Sequence, residues 1–313
     1  MQIVDHDRHS VRVPRRFRGP PNSGNGGVAA GLIACIGARV LGHGILGHHN
    51  PGHHNPGHHN PGHHNAELGG VRRSQVRLHR PIPLDADLDY RTAERPEGGC
   101  SIEVVDPSAA PGTETVLSGW ATNDAGSSPV DPEAVGALAA HIDLSDAERD
   151  LFNNFVEQSA ASTEDFKSCF VCGPDAVGGL RLRPRPIGNG VSWLNWHPEP
   201  DWIDTGLAGQ PAGANVALVP AVASLDCTSA IGLGAAGFLD DDESVLLGTY
   251  DTEIVAPLPA PDERGLRIIT RPQRRDGRKI YTEIGLFSAD GDPHILGLGT
   301  WIVVSADTAA GRA

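Results

Sequence analysis

Cys169-Phe-Val-Cys172-Gly sets two thiols three positions apart, a spacing that can ligate a metal or form a redox pair. A zinc site there needs two further ligands, with Cys227 or His197 as examples of where they could come from. A thioredoxin-like role needs a βαβ context, which the flanking sequence lacks. The plainer alternative is a tight turn holding small buried thiols. The five cysteines are odd in number and widely scattered, which points to reduced thiols and a cytoplasmic setting.

Imidazole is the other abundant ligand. Of fifteen histidines, eight fall between His48 and His64, where His-His-Asn repeats at a period of five with Pro-Gly between the units. Pro presets one turn dihedral and Gly supplies another, so a flexible surface loop is expected. Such a loop, spanning residues 43–66, takes up divalent metals adventitiously. A floppy repeat does not supply the fixed geometry of a catalytic metal site, and no resident metal or cofactor is expected. A metal-handling role for the loop is one alternative, and a repeat expansion in a tolerant position is the other.

Other motifs match in letter and fail in context. Gly232-x-Gly234-x-x-Gly237 has the dinucleotide spacing, but it closes an apolar segment instead of opening a helix after a strand. Gly24-x-Gly26-x-x-Ala29 follows Pro20-Pro21, where a buried strand should end. Only Lys167 and Lys279 are available for Schiff-base chemistry, and neither a phosphate-binding loop nor a G-x-S-x-G serine elbow is present.

The composition narrows the classes further. The 313 residues carry a net charge of −14, which argues against a nucleic-acid partner, since phosphate backbones need a basic face. No apolar run reaches the roughly 18 residues of a membrane span. Arg15, Arg16 and Arg18 ahead of the run Val28–Ala38 imitate a secretory signal, but the Pro- and Gly-rich stretch between them breaks the order. Thirty-nine Gly and 25 Pro mark turn-rich or low-complexity stretches.

The elements that must position any site read as one pattern written twice. Each half has an apolar helix, Gly27–Val40 and about Asn215–Gly232, ahead of a run of strands. The first run covers Val71–Thr92 with a break at Pro81-Ile-Pro83, then Ser101–Val105 and Thr115–Thr122. The second covers Gly248–Val255, a break at Pro257-Leu-Pro259, then Leu266–Thr270, Lys279–Ser288 and His294–Val304. Pro81 and Pro257 are 176 positions apart, and Trp120 and Trp301 are 181 apart. The drift is what loop-length changes produce, so an internal duplication is expected. Edge-to-edge pairing of the two sheets would remove one exposed edge from each. Residues 126–164 read as a helical linker, with short helices at Pro132–His141 and Leu144–Gln158.

The stretch Phe166-Lys-Ser-Cys-Phe-Val-Cys-Gly-Pro-Asp-Ala-Val-Gly-Gly-Leu-Arg-Leu resembles the opening of hotdog-fold thioesterase-like proteins. Ala223-Ser-Leu-Asp226-Cys is similar to their acidic central-helix position, and Arg16–Gly27 followed by an apolar helix resembles a first hotdog. The resemblance implies an α+β chain of two tandem hotdog units. Each would be a central helix wrapped by an antiparallel sheet, the sheets joined edge to edge. The units would be residues 1–125 and 165–306, with a tail at 307–313. It also implies a site between the central helices and an acyl-thioester substrate, acyl-CoA in the first instance. Homodimerisation stays open. Arginines such as Arg72, Arg73, Arg274 and Arg275 could meet CoA phosphates, or simply form a solvated charged face.

Within that resemblance, chemistry falls on two places. Gly26 and Gly27, with Asn25 as helix cap, would offer backbone N–H groups to a carbonyl turning tetrahedral, and Asn22 and Ser23 would add side-chain hydrogen bonds. Asp226 stands in an apolar helix, where burial raises its pKa toward that of a useful base, and Thr228 and Ser229 would hold a water. The first helix has no acid and the second lacks a Gly-Gly start, so one composite site is expected. A non-catalytic acyl- or aromatic-ligand binder is the competing reading.

Overall fold

The computed structural model describes residues 4–5, 9–44, 71–124, 126–140, 164–188, 190–199, 202, 217–258 and 263–309. The His-His-Asn repeat and the expected helix Leu144–Gln158 lie outside the described residues.

Alternating burial makes strands of the segments the sequence marked. β1 is Val4–Asp5 and β2 is Ser10–Arg12. After the helix α1, Gly26–Gly44, come β3 (Arg73–Leu78), β4 (Asp87–Glu94), β5 (Cys100–Val105) and β6 (Thr115–Thr122). In β4, Leu88 and Tyr90 point inward while Asp87, Asp89 and Arg91 face water, the period-two pattern of a half-buried strand. The later strands are β7 (Arg185–Gly188), β8 (Val191–Trp196), β9 (Glu243–Ile254), β10 (Leu266–Asp276), β11 (Lys279–Phe287) and β12 (Pro293–Ser305). The pairs β1–β2 and β7–β8 were not anticipated from the sequence.

All twelve strands form one sheet in the order β1-β2-β4-β5-β6-β3-β9-β12-β11-β10-β8-β7, and every neighbouring pair is antiparallel. At its centre β3 pairs with β9, setting Gln75 opposite Asp251 and Ser74 opposite Thr252. The seam is tied by side chains as well. Ser74 and Thr252 share a hydroxyl hydrogen bond at 2.7 Å, and Gln75 Nε2 donates to Asp251 Oδ1 at 2.6 Å.

The helices differ from expectation in one respect. The second apolar segment is not one helix but two, α3 (Leu218–Ala223) and α4 (Asp226–Ile231). Ser224 Oγ donates to the Ala221 carbonyl at 2.7 Å and Thr228 Oγ1 to the Ser224 carbonyl at 2.9 Å. Hydroxyls bonding back to carbonyls three and four residues earlier bend helices, and the interruption falls among them. A further helix, α2 (Pro132–Ala139), is capped by Asp131, whose Oδ1 accepts from Ala134 N at 2.7 Å. Its Leu138 is buried with Val191, Trp193, Ile269 and Phe287. A last turn, α5, spans Ala306–Ala309.

Residues 26–34 of α1 are all buried. Gly27 and Gly31, one turn apart, let α1 lie directly on α3: a Cβ on Gly27 would fall 2.8 Å from the Ala223 backbone, and one on Gly31 2.9 Å from Val219 Cα. The helix start of the first half is thereby pressed against the acid-bearing segment of the second.

Candidate active site

Asn25 begins the site. Its Oδ1 accepts from Val28 N at 3.0 Å, closing the first turn of α1 as an N-cap. Its own N–H donates to the Phe17 carbonyl at 2.9 Å, fixing the preceding loop. The remaining amide donor, Nδ2, points at sulfur, 3.6 Å from Cys227 Sγ and 3.9 Å from Cys169 Sγ.

Asp226, the first residue of α4, is only 3% exposed. Its Oδ2 accepts from Gly27 N at 2.9 Å, and its Oδ1 has no partner among the described residues. Burial pushes its pKa up to about 7 against the pull of the Gly27 N–H, because a carboxylate removed from water is costly to charge. Tyr250 lies deep beside this group, its phenol pushed well above the usual range chiefly by burial and its Oη without a partner.

A cavity of about 680 Å³ opens beside these groups. Asn25, Gly26, Asp226, Cys169, Cys172 and Cys227 contribute to its wall, with Leu247 and Trp301 as apolar lining. Gly26 N, at the first turn of α1, has no acceptor among the described residues, as helix-start amides do unless something caps them. A Cβ at Gly26 would lie 2.8 Å from Leu247 Cδ2, so any larger residue here would have to shift Leu247.

The structure therefore separates the expected site residues. Asn25, Gly26 and Asp226 come together at the cavity. Gly27 touches Asp226 directly, so its amide is spent on the carboxylate and is not open to a ligand as the sequence reading supposed. Asn22 and Ser23 also line the cavity, but Ser23 Oγ is occupied by Ile82 N at 2.9 Å and by the Gly24 carbonyl at 3.2 Å. Thr228 and Ser229 do not reach the cavity. The Thr228 hydroxyl bonds back to Ser224, and Ser229 Oγ donates to the Asp226 carbonyl at 2.7 Å while accepting from Trp301 Nε1 at 3.0 Å. Both hydroxyls are taken up by protein partners away from the cavity, so neither faces it in the water-holding role expected of them.

The arginines singled out as phosphate contacts also stand elsewhere. Arg275 is paired with Glu243, Arg274 stacks on Tyr281, and Arg73 lies over Trp120. The basic groups on the cavity wall are Arg80, Lys167 and Arg183 instead. Arg80 is held by Asp106 at 3.0 Å and Arg183 Nε donates to the Cys172 carbonyl at 3.2 Å. Nothing in their sequence spacing marked them, because they come from two distant segments, one around Arg80 and one holding Lys167 and Arg183.

The cysteine-bearing turn reaches this place through the first half of the chain. Phe170 N donates to the Arg18 carbonyl at 2.7 Å, and the Phe170 ring packs edge-on against Phe17 with centroids 4.8 Å apart. Cys169 Sγ and Cys227 Sγ lie 3.5 Å apart, and the sulfurs of Cys169, Cys172 and Cys227 all lie within 4.8 Å of one another. Hydrogen bonds from the other two thiols hold Cys169 below the ordinary thiol range, while the same contacts raise Cys172 and Cys227. His197 takes no part; it is hydrogen-bonded to Asn195 at 3.0 Å.

No protein family and no curated protein matches the sequence. Solved structures do. The chain is similar to a protein described as a thioesterase from Novosphingobium aromaticivorans, with a TM-score of 0.54 at 13% identity over 96% of this chain and 97% of that one. It is similar also to a protein described as thioesterase II from Thermobifida fusca, at 0.53, 13% identity and 96% of each chain. The tesB protein of Mycobacterium avium subspecies paratuberculosis aligns at 0.52 and 10% identity, over 94% of this chain and 92% of that one. The likeness at this level of identity is one of fold: the chain is a hotdog-fold protein of the architecture these proteins share.

Proposed function

We propose that the protein hydrolyses an acyl-thioester, acyl-CoA in the first instance, at one site made by both halves of the chain. The observation that carries this reading is the Asp226 carboxylate, buried on the cavity wall with Oδ2 anchored to Gly27 N and Oδ1 unpartnered, beside the open amide of Gly26. In this reading Gly26 N–H polarises the thioester carbonyl as charge develops on its oxygen. Either Asp226 Oδ1 takes a proton from the attacking water and the thiolate leaves with that proton, or Asp226 attacks the carbonyl, the thiolate leaves, and water then cleaves the acyl-aspartyl anhydride. Asn25 positions the helix start. The basic groups Arg80, Lys167 and Arg183 suit the anionic part of a CoA thioester.

The layout is read as two tandem hotdog units, residues 1–125 and 165–306, joined by the linker 126–164. Two features support it. Outward from β3 and β9, the strand orders β6-β5-β4-β2-β1 and β12-β11-β10-β8-β7 correspond element for element. Gln75 faces Asp251 across the seam, and these residues are 176 positions apart, the same offset that relates Pro81 to Pro257. A local two-fold axis between Gln75 and Asp251 accounts for both. Among the similar structures is a dehydratase of the borrelidin and fluvirucin polyketide synthases, so the fold by itself does not choose the reaction.

Non-catalytic acyl binding is the second reading, favoured by the way Gly27 and Asp226 satisfy each other and leave a single open amide. A panel of acyl-CoAs assayed with the wild type and Asp226→Asn separates the two. Turnover lost in Asp226→Asn, with acyl-CoA binding kept, supports hydrolysis. Binding without turnover by the wild type supports the second reading.

A further inference from the structure

We infer that Cys169, Cys172 and Cys227 form a binding site for a thiophilic divalent cation, zinc in the first instance, on the wall of the cavity. A zinc ion bound by thiolates at about 2.3 Å in tetrahedral geometry holds its sulfurs at about 3.8 Å from one another. The three sulfurs already converge to that scale: Cys169 and Cys227 are 3.5 Å apart, and no pair exceeds 4.8 Å. Two ligands come from one C-x-x-C turn and the third from α4, the arrangement of a site that staples two segments together.

The surroundings fit thiolates. Asn25 Nδ2 faces two of the three sulfurs, at 3.6 and 3.9 Å. Donors placed around sulfur are what the outer shell of a metal–thiolate site supplies. Asp226, buried and with one unpartnered oxygen, stands 3.9 Å from the Cys227 sulfur through Oδ2. Three protein ligands in a cavity wall leave the fourth position to a water or a substrate atom, the open type of zinc site. This site is separate from the histidine repeat, which offers nitrogen and no sulfur.

Cobalt(II) added to the reduced full-length protein tests the site. A thiolate-to-cobalt charge-transfer band saturating at one equivalent per chain, displaced by zinc and absent in Cys227→Ser, is the expected result. Any cobalt held by the histidine repeat gives no such band, since the repeat offers no thiolate. A Cys35→Ser variant, altered outside the trio, keeps the band. Absence of the band in the wild type overturns the inference, as does a band that survives unchanged in both Cys227→Ser and Cys169→Ser. The readout is metal binding, so it stands or falls apart from thioester turnover.

Discussion

In the proposed hydrolysis a single buried carboxylate, Asp226, carries most of the weight. Asp226→Asn keeps the shape and an acceptor for Gly27 N–H but removes the proposed base. Turnover of the best acyl-CoA substrate is expected to fall by about 10²–10⁴-fold, the usual contribution of a positioned acid or base, with acyl-CoA binding retained in calorimetry. The same residue leaves a mark on stability in the metal-free protein. Its pKa is raised from 3.8 to about 7 by burial, so the native chain holds the proton more tightly than the unfolded one. Its stabilising contribution is complete below pH 4 and is lost as pH rises through about 7. Relative to Asp226→Asn, the wild type should lose about 2–4 kcal/mol between pH 4 and pH 8 in urea titrations. A flat difference would show that the carboxyl titrates normally. Tyr250 behaves differently: its buried Oη has no partner, so Tyr250→Phe removes an unpaired hydroxyl. That variant should match or exceed wild-type stability by about 1 kcal/mol in the same titration.

Helix contact, not helix propensity, sets the element scale. Six glycines in α1 weaken it as an isolated helix, yet Gly27 and Gly31 are what let it touch α3. A Cβ at position 27 would sit 2.5 Å from Asp226 Cβ and 2.8 Å from Ala223 O. Gly27→Ala should therefore cost about 1–3 kcal/mol of stability and also impair turnover, since it displaces the carboxylate. Equal stability and activity in that variant would mean that the helices part without cost. The apolar helices and most strands of the second half were legible because their periodicity is local. The split between α3 and α4 was not, because it depends on hydroxyls whose choice of carbonyl is made only once the segment is buried. The short outer strands were missed for a similar reason: two or three residues carry too little pattern.

Across the whole molecule, the sheet runs unbroken through the β3–β9 seam and one apolar core draws on both halves, from Val11 to Val303. Such a body should unfold in one cooperative transition, with calorimetric and van't Hoff enthalpies in agreement. Two resolved transitions would show that the halves fold as independent units.

From the sequence alone came the repeated helix-then-strands order, the Asn25 cap, an acid in an apolar helix, and a C-x-x-C turn with a third cysteine beside that acid. Each is a property of neighbours in the chain, where residue type and spacing speak directly. Tertiary structure decided which of these meet. It set Gly27 N–H on Asp226 and left Gly26 N–H open. It closed the Thr228 and Ser229 hydroxyls onto nearby carbonyls and the Trp301 indole, and it carried Cys169 across to Asn25 and Cys227. Those outcomes follow from the close approach of two helices and the reach of one loop, which are set by packing between segments 58 to 199 residues apart.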